Sequence, residues 1–68
     1  MTGWQIITGT VEENFEMAVQ QEQIMRDCGP MDPYYRIARA NVAYYLDCAA
    51  ALERGEREIA RKREYMLW

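Results

Sequence analysis

Catalysis and metal binding need side chains that can move protons or donate electron pairs, and this 68-residue chain carries few of them in useful combinations. Histidine is absent, and Cys28 and Cys48 are the only thiols. One chain therefore cannot assemble a thiol–imidazole pair, a catalytic triad or a zinc quartet. There is no glycine-rich phosphate loop, and the carboxylates lack the spacing of an acid–base pair. The sequence predicts no enzyme, no cofactor and no metal site.

Arg54, Arg57, Arg61, Lys62 and Arg63 form a basic run that could meet phosphates, but Glu53, Glu56, Glu58 and Glu64 are threaded through it. Pairs such as Glu53 with Arg57 and Glu58 with Lys62 stand four residues apart, the spacing of ion pairs on a solvated helix. Binding by counterion release needs an unbalanced basic face. This chain has a net charge of −3, which argues against nucleic acid as a partner. The charge is also unevenly spread. Glu12, Glu13, Glu16, Glu22, Asp27 and Asp32 face Arg26 alone, while the residues from Pro33 onward lean basic. The first segment reads as a solvated acidic face or as a surface for a basic partner.

The elements that must position these groups read as helices. Thr10 and Glu13 form a capping box ahead of Val11. Val11, Phe15, Ala18, Val19 and Met25 share one face, and Met17, Ile24 and Cys28 form a second stripe. Glu22 falls inside the main stripe and is expected to pair with Arg39 or Arg36, because a buried unpaired carboxylate costs several kcal/mol. Gly29-Pro30 stops the helix, and Asp32-Pro33 starts the next one with an N-cap and a proline at the first position. So short a connection predicts an antiparallel hairpin with residue numbers summing to about 60 across it. In that hairpin Cys28 and Cys48 lie about 20 Å apart along the axis, too far for a disulfide, and read as small core thiols.

Upstream, Trp4, Ile6 and Ile7 sit between Gly3 and Gly9 and predict an extended arm over residues 1–9. Trp4 either docks on its own chain or anchors a partner. Downstream, Tyr34, Ala38, Asn41, Tyr45, Cys48, Leu52, Gly55, Ile59, Lys62 and Met66 follow a 3.5-residue period, which predicts a long helix over residues 33–66. The expected fold is therefore all-α: a short helix over about 11–28, a long one over about 33–66, and the arm, in one domain. Gly55 leaves open a bend, or a break into a third helix from Glu56, since it costs about 1 kcal/mol inside a helix. A helix of about 50 Å would outrun the first one. Leu52, Ile59, Met66, Leu67 and Trp68 would then need cover from the arm or from a second copy, which predicts a homodimer with Leu52, Ile59, Met66 and Trp68 in its interface.

In size and in its Thr10–Trp68 hairpin pattern, the chain resembles the small accessory proteins of temperate bacteriophages. These include helical dimers that bind and silence host regulators such as quorum-sensing transcription factors. The resemblance implies a protein-binding inhibitor whose partner is a bacterial protein, and it implies no particular contact residue. The side-chain types that dominate interface energetics point to Trp4, Tyr35, Arg39, Tyr44, Arg57 and Arg61 as the partner-binding set. The alternatives are an oligomerisation subunit of a larger helical assembly and a weak DNA-binding regulator. No apolar run approaches the ~20 residues of a membrane span, and no signal-peptide pattern opens the chain, so the expected location is the cytoplasm, without a membrane.

Overall fold

The computed structural model describes residues 3–65. The chain runs β1 (Trp4–Ile6), α1 (Val11–Cys28), α2 (Pro33–Glu53), β2 (Glu58–Ala60) and a closing 3-10 turn, Arg63–Tyr65. The capping signals all operate. Thr10 Oγ1 accepts from the Glu13 N–H at 3.1 Å, and Glu13 Oε1 accepts from the Thr10 N–H at 2.9 Å. Gly29, at φ +80°, caps α1 and donates its N–H to the Met25 carbonyl at 3.1 Å. The Asp32 carboxylate accepts from the Tyr34 N–H at 2.9 Å and opens α2. The helices form the expected hairpin, with buried Ala18, Ala38 and Ala49 keeping the side chains between them short. Asn41 Nδ2 donates to Gln21 Oε1 at 3.1 Å and ties the register.

The long helix of the sequence reading is corrected. α2 ends at Glu53, and residues 54–65 fold back instead of extending the rod. Gly55 takes φ +83° and donates to the Leu52 carbonyl at 3.0 Å, while Glu56 donates to the Ala51 carbonyl at 2.9 Å. These two bonds are the pair that closes a helix on a left-handed glycine. The segment beyond is a strand, so the fold is a helical hairpin plus a two-stranded sheet rather than all-α, and no third helix starts at Glu56.

β2 pairs antiparallel with β1, with Trp4 opposite Ala60, Gln5 opposite Ile59 and Ile6 opposite Glu58. The extended arm thus finds its cover on its own chain. Asn14 anchors the arm's far end: its buried Nδ2 donates to the carbonyls of Thr8 at 3.0 Å and Thr10 at 2.8 Å. The core lies where the sheet and the final turn meet α2, and it consists of Ile7, Cys48, Ala51, Ile59 and Tyr65, with Ala43, Tyr44 and Leu52 packed around them. The molecule is only 13 Å thick across its Cα atoms, against 35 and 29 Å in the other directions. That is under three times the ~4.6 Å width of one helix's Cα cylinder, so the hairpin and sheet form a thin slab and much of each helix stays near the surface.

Candidate functional site

Strand alternation sorts the sheet into two faces. Ile59 points inward and is buried, whereas Trp4 and Ile6 point outward at 58% and 69% exposure. Trp4, Ile6, Glu56, Arg57 and Glu58 line a shallow groove there. Trp4 therefore docks only in part.

The final turn is held by a polar cluster. Tyr65 is fully buried and donates its hydroxyl to the Asp47 carboxylate, which also receives Lys62 Nζ at 3.4 Å. The Tyr44 ring packs edge-on against Tyr65, centroids 5.4 Å apart, and against Tyr45 at 5.3 Å. Burial, with help from the neighbouring Cys48 thiol, pushes the Tyr44 hydroxyl up to about 12. Burial and the bond to Asp47 likewise raise Tyr65, and burial raises the Cys48 thiol. Both cysteines are free, Cys48 buried and Cys28 half-buried. Neutral, buried phenols and thiols of this kind support packing rather than reactivity.

On the open side of the hairpin, Phe15, Ala18 and Val19 of α1 meet Val42 and Leu46 of α2 beside Glu22. Phe15 is 43% exposed, Val19 64% and Leu46 42%, so together they make an apolar ridge along the groove between the helices. Glu12 and Glu16 are exposed along α1 beside the ridge. On the α2 side, Arg39 stands three residues before Val42 and seven before Leu46, which puts it on the same helical face. Next to it Arg36, Arg39 and Arg63 converge on a groove floored by Ala40 and Ala43, with Glu64 at its rim.

Several expected site residues move. The strand turns Ile59 into the chain's own core. Leu52 is half-buried against that core. Met66 and Trp68 lie outside the described residues. Tyr44 is half-buried in the tyrosine cluster, and Tyr35 is half-buried at the start of α2. Arg39, Arg57 and Arg61 are exposed as expected, but Arg57 and Arg61 flank β2 instead of lining a helix. The Arg57 carbonyl accepts from the Ile7 N–H at 2.9 Å, and the Arg61 N–H donates to the Gly3 carbonyl. The expected pairing of Glu22 with Arg39 or Arg36 is also corrected: Glu22 swings outward and pairs with Arg26 at 3.3 Å, four residues along the same helix.

The sequence reading placed Phe15 and Val19 on the face of the first helix turned toward the second, and it did not group Arg36 with Arg63. A wheel shows which residues share a face, whereas how much of that face a 13 Å layer covers depends on the tertiary fold. No protein-family model, curated protein or solved structure matches this chain.

Proposed function

We propose that the chain is a small protein-binding module: a dimeric inhibitor that docks on a bacterial host protein such as a transcriptional regulator and blocks it in the cytoplasm. One observation carries this reading. After the hairpin, the arm and the C-terminal segment have closed on one another, Phe15, Val19 and Leu46 still stand together at the surface. Clustered apolar side chains on so small a molecule are the usual mark of an interface. The exposed carboxylates Glu12 and Glu16 beside them suit a basic partner, such as the DNA-reading surface of a regulator. No helix among the described residues is long and apolar enough to cross a membrane.

Leu52 and Ile59, first given the self-association role, are engaged in the chain's own core, so the ridge is the surface left for a second copy as well, and the host protein would compete with that copy for it. The test is retention of bacterial proteins on the immobilised chain, compared with a Val19→Glu variant. The retained protein is identified and its DNA binding measured with and without the chain. The expected result is a regulator held by the wild type, released by the substitution and unable to bind DNA when the wild-type chain is present. Equal retention by both chains, or undisturbed DNA binding, would reject the reading.

A further inference from the structure

Among the described residues the arginines of α2, like Arg57 and Arg61 beside β2, carry no ion pair, whereas the other cations of the chain outside the final turn are compensated. Arg26 pairs with Glu22, Arg54 with Glu56 at 2.9 Å, and Lys62 with Asp47 and Glu64. Between Asp32 and Asp47 there is no acidic residue, and the Asp32 carboxylate is taken up by the Tyr34 N–H. Four residues after Arg36 comes Ala40, and four after Arg39 comes Ala43, where a carboxylate would have compensated them. Arg36 also lies in the first turn of α2, at the positive end of its dipole, where cations are disfavoured.

The fold then adds Arg63 from the final turn to the same groove. No ion pair among the described residues engages any of these three side chains. Glu64 is the single carboxylate of the groove, and Lys62 shares it at 4.0 Å. Three like charges gathered over an alanine floor, with one carboxylate among the described lining residues and that one shared with Lys62, are a local conflict of the kind that concentrates at functional sites. The small side chains also leave room above them.

We propose that this groove is a second contact of the protein-binding module, taking an acidic peptide segment of the partner with adjacent carboxylates bound by Arg36, Arg39 and Arg63. Guanidinium groups suit this because each can hold a carboxylate through two parallel hydrogen bonds. The arginines of α2 span a single helical turn, which fits a short acidic stretch. The partner would thus be basic where it meets α1 and acidic where it meets α2 and the final turn. The inference rests on the protein-binding reading and extends it.

The test is fluorescence anisotropy of a dye-labelled hexaglutamate peptide with the purified full chain at low salt. Inorganic phosphate and a short single-stranded oligonucleotide serve as competitors. Arg39→Gln is expected to weaken peptide binding roughly tenfold, the usual cost of a charge-assisted hydrogen bond. The variant with all three arginines changed to Gln should abolish binding while its helical circular dichroism stays unchanged. Arg54→Gln, outside the groove, should leave binding as it was. Peptide binding that survives the triple change, or falls equally with Arg54→Gln, overturns the proposal. So does an oligonucleotide or phosphate that binds where the peptide does not. Failure here, with a regulator still retained through Val19, sinks the groove alone; loss of retention by the wild type sinks the protein-binding reading itself.

Discussion

Replacing Gly55 with alanine separates the two ways this chain could use its C-terminal quarter, because they predict opposite signs. If α2 continued through residue 55, alanine would remove a helix-interior glycine and stabilise the protein by about 1 kcal/mol. In the fold described here Gly55 sits at φ +83°, where a side chain is disfavoured. No atom lies within 4 Å of an added Cβ, so the penalty is purely a backbone one. That penalty is about 1–2 kcal/mol, and the lower entropy of the unfolded alanine chain offsets only part of it. The net expectation is a loss of about 1 kcal/mol, a fall in Tm of roughly 4–8 °C for a domain of this size, read by thermal and urea denaturation followed by circular dichroism. Gly55→Asn should lose less, since asparagine tolerates the left-handed region. Gly3→Ala, which likewise meets nothing within 4 Å but carries no left-handed backbone, is the control. A rise in Tm for Gly55→Ala would refute the break in α2 and restore the long rod.

Other outcomes follow from the same packing. Asn14→Ala removes the side-chain donor to the Thr8 carbonyl, while the Thr10 carbonyl keeps the backbone N–H of residue 14 at 3.0 Å, and should cost about 1 kcal/mol in urea melts, loosening the arm. Ile59→Asp places a carboxylate in the core and should unfold the protein, seen as loss of the circular dichroism signal; a folded monomer would instead support the earlier placement of Ile59 at a subunit contact. Tyr44 is raised to about 12 from an ordinary value near 10, so the native state favours its neutral form. The stability this contributes is complete below pH ~10 and is lost as pH rises toward about 12. The late part of the tyrosinate absorbance rise should coincide with unfolding and shrink in Tyr44→Phe.

The parts of the fold legible in the sequence were those fixed by neighbours in the chain. The Thr10–Glu13 box, the Gly29 stop and the Asp32-Pro33 start act within four residues, and each forms as read. The end of α2 was harder, because Ile59 satisfies two patterns. It continues the 3.5-residue seam, and it is also the inward residue of the exposed–buried–exposed alternation Glu58-Ile59-Ala60. What selects the strand is a pairing partner more than fifty positions away, at Gln5, which no local window contains. Glu22 misled in a different way: it lies at the margin of the apolar stripe, and its flexible side chain reaches water and Arg26 at little cost. Of the basic groove, half was visible in advance as the acid-free stretch between Asp32 and Asp47. Arg63 joins only because Tyr65 buries itself against α2 and draws the final turn over Ala43.

The claim that the surface left by Phe15, Val19 and Leu46 seeks another molecule is met most directly by the mass of the purified protein from light scattering after gel filtration. The wild-type chain should elute with twice its 8.1 kDa mass. Val19→Glu, at a side chain already 64% exposed, should bring it to a single chain with its helical signal intact. A wild-type monomer at every concentration, or a dimer indifferent to Val19→Glu, would contradict the account.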